Sequence, residues 1–357
     1  MIDIIIVTYN AKDALQRCIR SLYRHTDQSR FSLTIVDNHS SDKTAHYLEK
    51  LGKSVKTITM HKNAGFSAGA NAALRVTDNE FVALMDDDVE VTKGWLDTLY
   101  THLECDPRAG IAGCKIVFPN GRIASAEYLV KIFHPYGCNE IDKGQYSYVR
   151  ACDALAGPCW LMRRSMIERI GYFDERFFPC QHEDIDYCLR ARLAGYKIMY
   201  AGDAHVIHHH LYRNGGQRQF LDNRRKFIRK WKGPLQRFPL RDASCADRWL
   251  WRGFDYFHEH KLKKALLAFR KVARYDKCLS HPSYQAIVYE RLGEYKKAIR
   301  FFNEWLYRDP QNIAALRGLV SMYKSIGCRK KAVEKAKVLL RYLHQKRMSV
   351  RSVYAIS

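Results

Sequence analysis

Apolar residues in the first ninety positions come in short runs, and each run closes on a polar cluster. IDIIIVTYN (2–10) ends in Thr8, Tyr9 and Asn10, LTIVDN (33–38) ends in Asp37 and Asn38, and VKTITM (55–60) and FVALM (81–85) follow. Short runs rich in Val and Ile predict buried strands. Between them the period lengthens. Ala14, Leu15, Cys18, Ile19 and Leu22 recur at helical spacing over Asp13–Arg24,. Ser40 or Ser41 is placed to cap a helix starting near Lys43, and NAGFSAGANAAL (63–74) reads as a small-residue loop opening another,. Strands alternating with helices predict a parallel sheet covered by helices on both faces.

The pattern then loosens. Strand-like segments lie at 110–118 and 123–130 with the turn signal PNGR between them, and 151–162 is an apolar stretch containing glycine. Helical segments are expected at 165–173 and 183–195, the second stopping at Gly195, with Lys197–Tyr200 as a final strand before His205–His210,. From about Ala246 a repeat takes over. Residues 258–272, 290–306 and 324–340 align so that His260, Gly293 and Gly327 match, as do Ala265, Ala298 and Ala332, at steps of 33 and 34 residues. A turn residue followed by a small Ala at that period is the signature of a tetratricopeptide array, in which helix pairs bury their apolar faces by stacking.

Composition adds little until it is divided. With 357 residues, 47% hydrophobic and 27% charged, the chain has the makeup of a soluble globular protein large enough for two domains,. No run approaches the roughly 20 apolar residues of a membrane span, and MIDIIIVTYN lacks the basic start and long apolar core of a signal peptide,. A cytoplasmic protein is expected. The 11 cysteines form no CxxC pair, so neither a zinc site nor a disulfide framework is expected,. The net charge of +23 is unevenly placed: from Val206 onward 35 Lys and Arg face 11 Asp and Glu, while residues 1–205 are near neutral. That asymmetry separates two domains with different partners and points the second toward anionic glycans, acidic lipid or other phosphates. No nucleic-acid-binding motif accompanies it, so no nucleic acid partner is expected. The expected organisation is a 1–215 α/β domain, a basic linker or helix at 216–245, repeats at 246–345 and a tail at 346–357. QRQFLDNRRKFIRKWKGPLQRFPLR (217–241) mixes basic and apolar residues as an interfacial membrane helix or a domain-packing helix would,.

The candidate chemistry sits where the fourth run ends, in MDDDVEV (85–91). Ligands bind at the carboxyl ends of strands in open α/β sheets. Three adjacent carboxylates there repel one another unless a cation neutralises them, and a hard divalent ion shared with a diphosphate would do so. An acidic loop facing water is the plain alternative. HEDIDYCLR (182–190) places Glu183 and Asp184 in the first turn of a helix, where the dipole favours negative charge,.

Taken together and in this order, IIIVTYNAKDALQRCIRSL, LTIVDNHSSDKT, NAGFSAGANAAL, MDDDVEV and GYFDERFFPCQHEDIDYCLR resemble the inverting glycosyltransferases of family 2, which have the GT-A fold, a Rossmann-like nucleotide-diphospho-sugar transferase architecture. The resemblance covers roughly residues 1–210. It implies that Thr8, Tyr9, Asn10, Asp37, Asn63, Gly65, Asp86 and Asp87 surround a nucleoside-diphosphate sugar. An Asx turn or a helix cap is the local alternative for Asp37, and helix–sheet packing competes for Ala68 and Gly69. Asp86–Asp88 match the DXD element, with Asp86 near the ribose and Asp88 on Mn²⁺ or Mg²⁺. A third ligand is expected from a histidine after the last strand, His208 before His210. Asp184 is implied as general base, with Glu183 as its alternative. Asp174 and Glu175 are expected to brace their loop, and Arg190 to be a structural ion-pair partner. Trp160, after Gly157 and Pro158, is expected to stack on the acceptor or else to belong to the core. The implied reaction is sugar transfer with inversion to an acceptor hydroxyl on a glycan, lipid-linked glycan or protein, anionic in character. A role in bacterial surface-glycan assembly is expected, peripheral on the cytoplasmic face of the inner membrane. The competing reading is a repeat-based interaction protein with an inactive transferase domain.

Overall fold

The structure, a computed structural model, describes residues 1–52, 55–130, 134–138, 140–209, 217–237, 245–275, 282–308, 310 and 312–354. Two compact units divide the chain, Met1–Asp242 and Ala243–Ser357.

The first unit begins with strands β1 (Ile2–Thr8), β2 (Phe31–Asp37), β3 (Lys56–Thr59) and β4 (Phe81–Asp86), alternating with helices α1 (Lys12–His25), α2 (Thr44–Leu51) and α3 (Phe66–Leu74). All seven residues of β1 are buried, which is why its sequence is apolar apart from the buried Asp3 and the terminal Thr8,. Each large aliphatic side chain buried in this way contributes about 1.5–3 kcal/mol. β1 pairs in parallel with β2 and β4, with Thr8 opposite Asp37 and Val7 opposite Asp86. The polar ends of three strands are therefore level on one edge. At α2 the expected serine cap is replaced: the Thr44 N–H donates to the Asp42 carboxylate at 2.8 Å, while the Ser40 hydroxyl accepts from the Asn10 N–H.

The sheet then departs from the expected all-parallel form. The chain continues through β5 (Val89–Val91), α4 (Trp95–Glu104), β6 (Ala109–Val117), β7 (Ile123–Ser125), β8 (Tyr128–Leu129), β9 (His134–Pro135), β10 (Val149–Cys152), β11 (Cys159–Arg163), α5 (Arg164–Ile170), α6 (Glu183–Leu193) and β12 (Lys197–His208). β11 inserts antiparallel between β4 and β6, giving the order β10-β12-β6-β11-β4-β1-β2-β3. The sheet is thus mixed: β1–β4 pair in parallel, while β5, β7, β10 and β11 each pair antiparallel with a neighbour. β12, longer than the expected four residues, runs parallel to β6 and then antiparallel to β5. Ile4, Ile6, Leu15, Ile35, Met85, Trp95, Leu99 and Leu161 share one core.

α7 (Gln217–Arg237) closes this unit. Asn223, Phe227 and Trp231 form a buried stripe at four-residue spacing,. The stripe docks on protein, with the Trp231 indole N–H donating to Asp186 of α6 at 2.8 Å. Phe227 and Trp231 of the basic segment are therefore committed to its own domain, while Ile228 is exposed.

The second unit is helical: α8 (Cys245–His258), α9 (Leu262–Tyr275), α10 (Pro282–Arg291), α11 (Tyr295–Arg308), α12 (Ile313–Ser325) and α13 (Arg329–Tyr354). His260, Gly293 and Gly327 all adopt positive φ (57°, 72° and 74°) at the turns before α9, α11 and α13. Ala265, Ala298 and Ala332 are all buried. Lys264, Lys297 and Lys331 each lie over the equivalent tyrosine, Tyr256, Tyr289 and Tyr323. The expected tail from residue 346 is instead helical as far as Tyr354. No helix among the described residues is long and apolar enough to cross a membrane.

Candidate active site

At the carboxyl edge of β1 and β4 the first unit opens a cavity of about 320 Å³. One wall comes from the strand ends and the loop before α3: Thr8, Tyr9, Asn38, Asn63, Gly65 and Asp86–Asp88. The facing wall comes from Ala156–Pro158, Pro179–Gln181, Glu183 and Asp184, and His208 lines it as well.

The three aspartates do different things. The Thr8 hydroxyl donates to Asp87 at 2.7 Å, so the middle carboxylate, 6% exposed, is held against β1. Asp86 and Asp88 instead face His208, whose Nε2 lies 3.6 Å and 2.9 Å from their oxygens. Ligand atoms of these three residues all lie within 4.8 Å of one another. His208 arrives there because β12 pairs with β5, the short strand directly after the aspartates, putting His208 opposite Val89. The His209 N–H donates to the Asp88 carbonyl, and its ring meets Glu90 at 2.7 Å. His205 is tied elsewhere, its carbonyl accepting from Thr92 at 2.6 Å, and His210 lies outside the described residues.

Burial opposes protonation of His208. The hydrogen bond to Asp88 and the charges of Asp88, Asp86 and Asp87 outweigh it and raise the imidazole above its ordinary value. The carboxylates around it call for positive charge at this place. Two carboxylate oxygens and one imidazole nitrogen form a donor set suited to Mn²⁺ or Mg²⁺, with room left for diphosphate oxygens.

Across the cavity, Glu183 and Asp184 open α6. Burial pushes Glu183 well above the usual carboxylate range, and the charges of Asp184 and Asp86 add to the effect. Its Oε2 is buried without a hydrogen-bond partner. Burial also raises Asp184, but the Ile185 and Gly157 N–H groups, at 2.8 and 3.1 Å, stabilise its carboxylate and limit the rise to about 6. Of this pair, Asp184 is the one that ionises first and is a carboxylate at neutral pH.

Several expectations need correction. Trp160 is 1% exposed on β11, its indole N–H donating to the Ala156 carbonyl at 2.7 Å and its ring stacked on Phe173. It is a core residue and offers no face to an acceptor. Asn10 lies off the cavity wall. Its side-chain oxygen accepts from the Ser41 N–H at 2.7 Å and the Asp42 N–H at 3.3 Å, so it shapes the loop before α2. Asp37 is 2% exposed and accepts from the Ser40 N–H at 3.0 Å, the Asx-type alternative, and the neighbouring Asn38 takes the wall position. Asn38 was missed as a site residue. It accepts from the Ala64 N–H and donates to Asn63, joining the β2 end to the small-residue loop. Gly65 is required for a reason other than donor approach: with φ of 85°, a Cβ there would meet the Pro179 carbonyl at 2.8 Å. Gly69 serves packing, because a Cβ would meet Val7 at 2.8 Å.

Bracing around α6 agrees with expectation. Arg190 pairs with Asp186 at 3.1 Å, Asp174 with Arg176 and Lys230, and Glu175 accepts from Asn71. The fully buried Asp186 was overlooked, since EDID reads locally as helix-start acidity.

Comparison with known proteins places this geometry. Residues 3–171 match the family Glycosyl transferase family 2. The chain is 27% identical over 220 residues to O-antigen biosynthesis protein RfbC of Myxococcus xanthus, covering 58% of this chain and 17% of that one. It is 25% identical over 241 residues to N-acetylglucosaminyl-diphospho-decaprenol L-rhamnosyltransferase of Mycobacterium tuberculosis, covering 60% and 78% respectively. For RfbC and for an uncharacterized protein, y4gI, of Sinorhizobium fredii, the matched region is a quarter of the relative's length or less (17% and 24%). Among solved structures, the mannosyltransferase PcManGT from Pyrobaculum calidifontis in complex with GDP-Man and Mn²⁺ aligns with a TM-score of 0.52 at 16% identity, covering 86% of this chain and 87% of that one. GalNAc-T7 with UDP, GalNAc and Mn²⁺ aligns at 0.54 and 14% identity, over 72% of this chain and 56% of that one. At these identities the likeness is one of fold. The N-terminal unit has a GT-A-like architecture, residues 3–171 within it match the family 2 glycosyltransferases, and a helical region follows.

Proposed function

We propose that this chain, built on a family 2 glycosyltransferase domain, moves a sugar from a nucleoside-diphosphate sugar to an acceptor hydroxyl by single displacement with inversion. The observation that carries the reading is that one cavity is lined both by the Asp86, Asp88 and His208 cluster and by the Glu183 and Asp184 pair. The donor's nucleotide lies along Thr8, Tyr9, Asn38, Asn63 and Gly65, with Asp37 behind them. Asp86, Asp88 and His208 would hold Mn²⁺ or Mg²⁺, which when bound neutralises charge gathering on the departing diphosphate. Asp184 takes the acceptor proton. A carboxylate suits that task when its pKa sits below the working pH but not far below it. Glu183, whose carboxyl burial beside Asp184 raises well above the usual range, lines the same cavity and is the alternative base. The transition state has oxocarbenium character, as in glycoside hydrolysis, and needs no protonating acid when a diphosphate leaves.

The named relatives act in O-antigen biosynthesis and on a lipid-linked diphosphate sugar. We extend this to a surface-glycan acceptor, lipid-linked and anionic, at the cytoplasmic face of a bacterial inner membrane. The second unit, with matched positive-φ turns and buried alanines, is read as a tetratricopeptide array whose basic surface receives that acceptor,. Retention of the whole carboxylate set disfavours a purely interaction-based role.

The test is a panel of UDP-, dTDP- and GDP-sugars incubated with Mn²⁺, with the first-formed product anomer read by proton NMR. Donor turnover that disappears on chelation and yields the anomer opposite to the donor's supports the proposal. Retention of configuration, or turnover indifferent to chelation, contradicts it.

A further inference from the structure

We infer that Asn223 of α7 is a positioning residue for the Glu183–Asp184 pair, so that a helix lying beyond the family-matched span completes the reactive site. The inference rests on the glycosyl-transfer reading above. It starts from the backbone immediately before α6. Gln181 and His182 both adopt positive φ, 84° and 75°, directly ahead of Glu183. For residues with a Cβ this conformation is unfavourable, and two in succession persist only where the surroundings hold them.

Those surroundings are specific. The Asn223 side chain is fully buried, and its Nδ2 donates to the Phe178 carbonyl at 3.1 Å and the Cys180 carbonyl at 2.8 Å. The carbonyl between them, that of Pro179, accepts from the Phe66 N–H at 2.7 Å. Three successive carbonyls are thus fixed from two sides, by the first residue of α3 and by one carboxamide of α7. The Asn223 oxygen is held in turn by Lys226, whose Nζ also donates to the Arg176 carbonyl. One turn along α7 the Phe227 ring packs 5.7 Å from the His182 ring. One turn further, Trp231 and Lys230 donate to the buried Asp186 at 2.8 and 2.7 Å. α7 therefore grips the 178–186 segment at both ends, with the base pair between the grips.

Cys180, Gln181, Glu183 and Asp184 line the cavity, whereas Asn223 and Trp231 do not. Asn223 acts through the backbone it holds. The donor-side residues do not depend on it, apart from the shared Pro179 contact. Removing its two donors should therefore displace the base pair while leaving the nucleotide and metal groups in place.

The experiment uses the full chain as wild type, Asn223→Ala and Asn223→Asp. Asp keeps the shape of the side chain but cannot donate to the two carbonyls. Steady-state turnover of the donor found by the sugar panel is measured beside calorimetric binding of the matching nucleoside diphosphate with Mn²⁺. The expected result is a kcat lowered by about 100-fold in both variants, the cost of an ångström-scale misplacement, with nucleotide affinity within about twofold of wild type. Asn223→Ser, which can restore one donor, should recover part of kcat, and it serves as the test variant if Asn223→Ala does not fold. An active wild type beside variants of unchanged kcat overturns the inference, and so does parallel loss of kcat and nucleotide affinity. A wild type that turns over no donor overturns the glycosyl-transfer reading itself and this inference with it.

Discussion

The two walls of the cavity are made in opposite ways. On the donor side, Thr8, Asn38 and Asp86–Asp88 sit at the ends of adjacent parallel strands, and the register alone brings them level. Elsewhere in the site, Asp184 starts a helix that is supported by α7, and His208, which joins Asp86 and Asp88, ends a strand whose register is set by β5. The first wall follows from local sequence, since each polar residue directly follows its own apolar run. The second follows from pairings between segments distant in the chain, Trp231 with Asp186 and His208 with Val89. The family-matched span reflects the same division, because it ends at residue 171, ahead of Asp184 and His208.

The sharpest way to separate the walls is Asp184→Asn. It should lower kcat by about 10²–10⁴-fold, the range of a lost general base, while nucleotide binding with Mn²⁺ is retained. Equal loss of both would mean that the walls are not functionally distinct. Trp160→Ala is expected to remove about 3–5 kcal/mol of stability, as for a large buried aromatic, measured by chemical denaturation. A variant of wild-type stability with a raised acceptor KM would instead return Trp160 to the acceptor site.

Protonation distinguishes the walls more finely. Asp184 is raised to about 6 in the fold, above its unfolded value of about 3.9,. The folded state therefore binds the proton more tightly than the unfolded chain, and this carboxyl lowers stability as pH rises from about 4 through 6. Asp184→Asn should accordingly raise the melting temperature at pH 7.5, by the equivalent of about 1–3 kcal/mol, and leave it unchanged at pH 3. In wild type, kcat/KM should climb with pH through an apparent value near 6. A flat profile across that range would remove Asp184 as the base. The smallest effect is expected at Asn10→Ala, which loosens the 40–42 loop and costs about 0.5–1.5 kcal/mol of stability with little change in nucleotide affinity.

The strands and helices of residues 1–91 were legible because period and turn chemistry agree there. The helical character of the second unit was legible because a 33–34-residue period carries its own turn and alanine positions, which the structure shows as positive-φ turns and buried alanines. The antiparallel insertion of β11 was not, since an apolar run carries no mark of its direction. Trp160 and Asp37 illustrate the same limit at single residues. Both stand at motif positions, but whether a side chain faces the cavity depends on strand register, which the motif does not contain. His208, singled out from the alternation of an extended chain, is the histidine that lies beside Asp86 and Asp88. Asp186 and Asn223 went unseen because a buried carboxylate and a buried carboxamide look like ordinary helix surface until their partners are known.

The central claim is that Asp86, Asp88 and His208 make nucleotide binding depend on a divalent ion. Calorimetric titration of UDP and GDP into the wild-type chain, with Mn²⁺ and with chelator, and into Asp88→Ala, tests it most directly. The account predicts that one nucleotide binds the wild type with Mn²⁺, weakens at least about tenfold with chelator, and weakens to a similar extent in Asp88→Ala whether or not metal is present. Nucleotide binding that is equally tight in all of these conditions would contradict it.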